Sequence, residues 1–265
     1  LPLLAAKKAG IPVRIAHSHS TSIDFDLKWP MKRIFRKEIT KVATDYAACS
    51  YDAGKFLFRE KDIRIIYNAL DIQKFKYDAN VRKQKRTELN LGSKYVIGHV
   101  GRFTKAKNHK FIINVFDELA KKDEKYILLL IGAGELMDDI QIHIRKKGLQ
   151  DKVIILSDRD DVYQLYQAMD LFVFPSKYEG LGMGAVEAQI SGLKTIVSDN
   201  VPEEVKISED IEFLRLSEEL WVEKILHTQS KQRNTNYCEK YDISKAVKGL
   251  TEYYNKLLRN IENES

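Results

Sequence analysis

Three glycines, Gly180, Gly182 and Gly184, fall in the short stretch between Pro175 and a helical pattern that opens near Gly184. Glycines let backbone N–H groups close on a ligand, and a helix N-terminus adds partial positive charge, so this stretch can cradle phosphate. Two cations, Arg102 and Lys107, stand in a second loop, Gly101–Asn108, and could neutralise a diphosphate. Two carboxylates complete the set. Glu187 lies eight residues beyond Glu179, on the second turn of the expected helix, where it can accept hydrogen bonds from a cis-diol such as ribose. Glu179, on the loop before that helix, would face whatever the phosphates carry. The assembled chemistry suits a nucleoside diphosphate bearing a polyol.

These loops need a scaffold that brings them together, and the apolar patterning supplies one. From Tyr95 onward, β-branched runs alternate with segments of helical length. The strand candidates are Tyr95–Val100, Ile127–Ile131, Val153–Leu156, Leu171–Phe174, Thr195–Val197 and Glu212–Leu214. Between them lie helix candidates Asn108–Lys121, Glu135–Lys147, Asp160–Met169, Gly184–Ser191 and Pro202–Ile207. This alternation predicts βαβ units in a doubly wound α/β fold with a parallel sheet of order 3-2-1-4-5-6. In that order the crevice lies beyond the carboxyl ends of strands 1 and 4, which are followed by the Arg102/Lys107 loop and the glycine loop.

Before Tyr95 the pattern is incomplete. Val13–Ala16, Tyr46–Cys49 and Ile63–Ile66 read as strands, with helices Pro30–Thr44 and Asp52–Arg59 between them. These elements predict the C-terminal portion of a truncated N-terminal Rossmann-like domain over residues 1–72, whose upstream part is missing from a chain that begins with Leu1. A donor-type Rossmann-like domain is expected over residues 73–240, after a linker at Tyr67–Phe75, and a C-terminal helix over 241–265 packing back on the first domain.

Bulk properties narrow the classes. Hydrophobic content of 44% and charged content of 31% are ordinary for a globular protein. The net charge of +6 resides mostly in residues 1–72, where 13 Lys/Arg face 8 Asp/Glu. No basic and aromatic module of a nucleic-acid binder is present, so nucleic acid is excluded as a partner. No apolar run approaches the ~20 residues of a membrane span. Cys49 and Cys238 match no metal or redox spacing, which points to a reducing, cytoplasmic compartment.

The segment Glu179-Gly180-Leu181-Gly182-Met183-Gly184-Ala185-Val186-Glu187-Ala188 resembles the Glu-x7-Glu motif of retaining glycosyltransferases, especially family 4 with the GT-B fold. Gly98-His99-Val100-Gly101-Arg102-Phe103 with Lys107-Asn108-His109 is similar to that family's first-strand motif. Asp170-Leu171-Phe172-Val173-Phe174-Pro175-Ser176, Ser191-Gly192-Leu193, Ser198-Asp199 and the interdomain Tyr67-Asn68-Ala69-Leu70-Asp71 follow in the expected order. The likeness spans about residues 11–229 and has the flavour of bacterial capsular and exopolysaccharide enzymes.

The resemblance implies that Arg102 and Lys107 hold the diphosphate and stabilise the leaving group. It implies that Glu187 binds the ribose, and that Glu179 with the amides of Gly180, Leu181 and Gly182 positions a hexose. Gly101 belongs to the same donor-binding set, and Arg159 lies where the base would rest, near Ser157–Asp160. A histidine of the acceptor domain should serve near the donor sugar; His17 and His19 are both candidates, with His19 preferred. Retention of configuration is implied, with no metal and no cofactor, the nucleotide sugar being a substrate. UDP is the default nucleotide, with GDP open, and the acceptor would be a saccharide or lipid-linked saccharide. Ala69, Ser157, Gly184 and Ala185 depart from the family's usual residues, which bears on sugar selectivity.

Asp158-Arg159-Asp160 contains an Asp-x-Asp triplet that can hold a metal in other glycosyltransferases, but it follows strand 3 instead of the switch point. Gly132-Ala133-Gly134-Glu135 reads as a tight strand-to-helix turn. His99 and His109 flank the cationic loop and are left outside the site. In Pro30–Thr44, an apolar face of Ile34, Phe35, Ile39 and Val42 is surrounded by Lys32, Arg33, Arg36, Lys37 and Lys41. Peripheral docking on the inner, anionic face of a membrane is one reading of this helix; a core-facing helix with a solvated basic side is the other. Function divides three ways: a hexosyltransferase, a sugar-nucleotide epimerase of the same fold, or a non-catalytic nucleotide-sugar-binding module.

Overall fold

The computed structural model describes residues 2–20, 38–228, 232–233, 236–237 and 239–264, with side chains described through residue 260. The chain divides into two compact units. One comprises Leu1–Asp71, Glu179–Leu181 and Glu239–Ser265; the other comprises Ile72–Tyr178 and Gly182–Cys238.

The second unit is built on a six-stranded parallel sheet. Its strands are β4 (Tyr95–Val100), β5 (Tyr126–Ile131), β6 (Val153–Leu156), β7 (Leu171–Phe174), β8 (Thr195–Ser198) and β9 (Ile211–Leu214). They lie in the order β6-β5-β4-β7-β8-β9, the predicted 3-2-1-4-5-6 arrangement. Central strands β7 and β8 are buried along their whole length, as a sheet covered on both faces requires.

The helices of this unit are α3 (Ile72–Phe75), α4 (Ala79–Glu88), α5 (His109–Lys122), α6 (Met137–Lys146), α7 (Val162–Ala168), α8 (Met183–Ile190) and α9 (Glu218–His227). On α5 the apolar residues Ile112, Val115, Phe116 and Leu119 recur at helical spacing and are buried with Ile97, Leu128, Val173 and Trp221 in one core cluster. Helix starts follow local capping chemistry. Asp78 accepts hydrogen bonds from the amides of Asn80 (2.7 Å) and Val81 (3.2 Å) at the start of α4, and Ser217 caps α9.

The helix expected over Pro202–Ile207 is instead a single 3-10 turn, Glu203–Val205. The reason is a side chain distant in sequence. Gln189 of α8 donates to the Val205 carbonyl (2.8 Å) and accepts from the amides of Ile207 (3.1 Å) and Ser208 (3.2 Å), so it satisfies the backbone groups that a helical ladder would use.

The first unit carries α1 (Pro2–Lys8), α2 (Tyr51–Phe58), the C-terminal α10 (Ile243–Glu264), and a three-stranded parallel sheet β1-β2-β3. Its strands are β1 (Ile15–Ser18), β2 (Asp45–Ala48) and β3 (Arg64–Ile65). β1 lies two residues later than the Val13–Ala16 pattern suggests. The Arg14 amide donates to Thr44 Oγ1 (2.8 Å), so ladder pairing begins only at Ile15 opposite Asp45. His17 is therefore a strand residue, and His19 follows the strand. Within this unit, Leu70 donates to the Tyr241 carbonyl (2.9 Å) and accepts from the Ile243 amide (3.0 Å). The expected linker Tyr67–Phe75 thus ends in the helical turn α3, whose Ile72 is buried.

Of the basic helix expected over Pro30–Thr44, residues 38–42 are helical, with Val42 buried and Lys41 paired with Glu38 at 2.8 Å. The rest of that reading, and Cys238, lie outside the described residues; Cys49 is buried. Among the described residues no helix is long and apolar enough to cross a membrane.

Candidate functional site

The loop leaving β4 is shaped by close backbone approach. The Gly101 amide extends the ladder to the Ile131 carbonyl (2.9 Å). A Cβ on Gly101 would press on the Lys107 stem, at 3.2 Å from Cδ, and on His99 Nε2 at 3.0 Å. Glycine there lets Lys107 fold back across the chain. Gly132 and Gly134, in the loop after β5, lie so near the backbone of Gly101 and Phe103 that a Cβ on either would overlap it. The two loops are laced by Phe103 N–H to Ala133 C=O (2.9 Å) and Leu136 N–H to Phe103 C=O (3.0 Å). The Gly-x-Gly pair, read from sequence as a plain turn, also sets the path of the backbone that carries Arg102. Arg102 itself is exposed, and Phe103 is buried against His109 with ring centroids 4.1 Å apart.

The loop leaving β7 meets this one. The Lys177 amide donates to the Ala106 carbonyl at 2.8 Å, and Ser198 Oγ donates to the Ser176 carbonyl. Lys107 Nζ stands 4.5 Å from the centroid of the Phe174 ring. Gly182 is the N-cap of α8 at φ +100°, a conformation that favours glycine, and no side chain caps the helix. Ala185 N–H donates to the Gly182 carbonyl (3.0 Å), and the amides of Met183 and Gly184 keep hydrogen-bonding capacity for an anion. Gly184 packs near the Val100 carbonyl, where a Cβ would sit 3.2 Å away.

Glu187, on α8, is half-buried, and its Oε2 accepts a hydrogen bond from the Tyr166 hydroxyl at 2.8 Å. Burial raises its pKa, while the Tyr166 bond and the charge of Lys107 pull the other way. Behind the cationic loop, His99 Nδ1 lies 2.9 Å from the Val173 carbonyl, and the His99 and His109 rings meet edge to face at 4.8 Å. Burial holds His99 well below the ordinary imidazole pKa and lowers His109 to about 4, with the Lys107 charge adding to both. The two rings are thus neutral bodies beneath a cationic loop.

Gly101, Arg102, Lys107, Gly182 and Glu187 accordingly gather on the loops beyond β4 and β7 and on α8, as the strand order requires. Arg159, on the loop after β6, is engaged by neighbouring carboxylates. It reaches Asp161 through two bonds of 2.6 Å and Glu88 at 3.1 Å, in a network that also includes Lys85. Glu179, Gly180 and Leu181 group with the first unit. There Ser50 Oγ donates to the Gly180 carbonyl, and a Cβ on Gly180 would overlap the His19 carbonyl. His17 and His19 are both exposed, with ring centroids 4.1 Å apart. Partial desolvation, then the neighbouring His19, lowers the His17 pKa.

Tyr166 was missed from sequence. Its only signal was an aromatic with a hydroxyl on an otherwise apolar helix face, which core packing alone would explain.

The strand order and the two facing loops define an α/β protein of GT-B fold, with an anion-binding crevice at the switch point. The family described as glycosyl transferases group 1 matches residues 81–241, and the chain belongs to it. EpsF of Bacillus subtilis, which carries the name of a glycosyltransferase, is 32% identical over 95% of this chain and 71% of its own length. An Escherichia coli UDP-Gal:α-D-GlcNAc-diphosphoundecaprenol α-1,3-galactosyltransferase is 23% identical over 97% of this chain and 72% of its own length. HepE of Anabaena, solved in complex with UDP and glucose, superposes with a TM-score of 0.81 at 19% identity, over 96% of this chain and 74% of that one. The protein is a glycosyltransferase whose relatives include enzymes of lipid-linked sugar transfer.

Proposed function

We propose that this protein transfers a hexose from a UDP-sugar to a saccharide or lipid-linked saccharide acceptor in cell-surface polysaccharide synthesis, with retention of anomeric configuration. The carrying observation is the pairing of cationic loop and uncapped helix start, tied by the Lys177–Ala106 hydrogen bond. A cation pair and oriented amides on two faces of one crevice suit a diphosphate leaving group. UDP is favoured because the E. coli relative is named for a UDP-Gal donor and HepE was solved with UDP. The undecaprenol-linked acceptor in that relative's name supports a lipid-linked acceptor and work at the inner face of a membrane.

In this reading the bond from the anomeric carbon to the diphosphate oxygen breaks, and its electron pair stays on the diphosphate. Arg102, Lys107 and the first-turn amides of α8 stabilise the charge that develops there. The acceptor oxygen bonds to the anomeric carbon on the same face, and its proton passes to a donor phosphate oxygen. Glu187 binds the ribose; Glu179 with the amides of Gly180–Gly182 positions the hexose; His19 or His17 serves on the acceptor side. Residues 1–72 act as the acceptor-side portion and 73–240 as the donor portion. No metal and no cofactor take part.

The test is a panel of UDP- and GDP-sugars with polyprenyl-diphosphate-linked acceptors, with and without EDTA, the product linkage being read by NMR. An α-linked product from an α-linked UDP-sugar, formed equally in EDTA, is expected. A β-linked product would overturn retention, and activity abolished by EDTA would restore a metal. Epimerised donor with no transfer would replace the transferase by an epimerase.

A further inference from the structure

Among the described residues, the Tyr166 hydroxyl is the one donor to the Glu187 carboxylate, and its position is fixed by packing. Tyr166 lies on α7, is 0% exposed, and packs its ring against Phe172 and Phe75 at 5.5 and 6.0 Å between centroids. Its hydroxyl stands 2.8 Å from Glu187 Oε2 and 3.3 Å from the Gly184 carbonyl. A phenol has one proton to donate, and the carboxylate is both nearer and the stronger acceptor. Oε2 is therefore engaged from within the protein, and no hydrogen bond to Oε1 is formed among the described residues.

We infer that Tyr166 is a positioning residue for donor recognition, holding Oε2 of Glu187 so that Oε1 is presented to the vicinal hydroxyls of the donor's ribose. The inference rests on the proposed role of Glu187 and adds the device that orients it. A carboxylate turning freely about its terminal torsion would lose that freedom on binding a diol, whereas one already fixed by a buried phenol binds preorganised. The same hydroxyl links α7 to the start of α8, where the phosphate cradle begins, so ribose and diphosphate contacts share one support.

The experiment compares UDP with 2′-deoxy-UDP by titration calorimetry on wild type, Tyr166→Phe, Glu187→Ala and the double variant. Wild type should prefer UDP by about tenfold, the worth of one hydrogen bond to a charged group. Tyr166→Phe should reduce that ratio to about threefold or less, and it should have no further effect in the Glu187→Ala background. With a turnover assay, Tyr166→Phe should raise KM for the donor while leaving kcat nearly unchanged. A Tyr166→Phe protein that keeps the wild-type ratio overturns the inference alone. A wild type without preference, unaffected by Glu187→Ala, overturns the ribose role of Glu187 and the inference with it. A crystal structure of wild type with UDP supplies a readout independent of variant folding. Ribose on Oε1 with Tyr166 still on Oε2 supports the inference, and ribose bonded to Oε2 or to the phenol overturns it.

Discussion

The Lys107 ammonium stands 4.5 Å from the centre of the Phe174 ring, so a cation carried by the loop after β4 is held over the last residue of β7. The stem reaches that place by crossing Gly101, which has no Cβ to obstruct it. Charge at the crevice is thus fixed before a ligand arrives, the condition under which electrostatic stabilisation of a leaving group costs no reorganisation. Lys107→Ala and Arg102→Ala should each lower turnover by about tenfold to a hundredfold, measured as UDP release in saturating donor. Arg102 is exposed, and its variant should melt within about 2 °C of wild type, as a surface substitution does. Unchanged turnover in both variants would contradict the assignment of the diphosphate site.

Gly182 sits at φ +100° where α8 begins, and a Cβ there would come within 3.2–3.4 Å of Phe174, Val201 and Val205. Gly182→Ala therefore combines a disfavoured backbone conformation with tight side-chain contact. A loss of about 1–2 kcal/mol in urea unfolding is expected. Weaker UDP binding should accompany it, because the amides that follow Gly182 would turn away from the crevice.

Asp170 illustrates the opposite end of the sheet. It directly precedes β7, and its largely covered side chain accepts from Arg82 (2.6 Å), Arg86 (3.1 Å) and the Val96 amide (2.8 Å). Those partners come from α4 and β4, so the carboxylate ties helix to sheet at the strands' amino ends, away from the crevice. Asp170→Ala leaves two arginines and an amide without it and should cost about 3–5 kcal/mol in denaturant unfolding. Folded protein at low temperature should retain donor affinity; a binding loss without a stability loss would place Asp170 in the wrong role.

Strand order and the two facing loops were legible because they rest on local patterns: β-branched runs, helical spacing, and glycines beside charges. What escaped the sequence was long-range satisfaction of polar groups. Nothing near Pro202–Ile207 announces that Gln189 replaces its helical hydrogen bonds, and nothing near Glu187 announces the phenol of Tyr166. Nor does the sequence announce that Arg159, expected on the base side, pairs with Asp161 and Glu88. The strand carrying His17 was displaced because Arg14 bonds the Thr44 side chain before the ladder starts. Periodicity records which face is apolar, and it carries no information about which distant side chain will meet a given backbone group.

The buried pair His99 and His109 makes stability depend on pH. Both are held neutral in the folded state, chiefly by burial, with His109 lowered to about 4 and His99 well below its ordinary value. Unfolded, each imidazole titrates near 6.5, so between that value and the folded pKa the unfolded chain binds more protons. Stability is therefore complete above about pH 7 and falls as pH drops through 6.5, by up to about 1.4 kcal/mol per pH unit for each imidazole. For His109 the loss ends near pH 4, where the folded state also takes up its proton. Urea unfolding at pH 7.5, 6 and 5 measures the slope. His109→Phe keeps an aromatic against Phe103, whose ring stacks on it at 4.1 Å, and should flatten the slope by about half. A variant with the wild-type pH dependence would mean that His109 titrates alike in the folded and unfolded chains, so that burial does not hold its ring neutral.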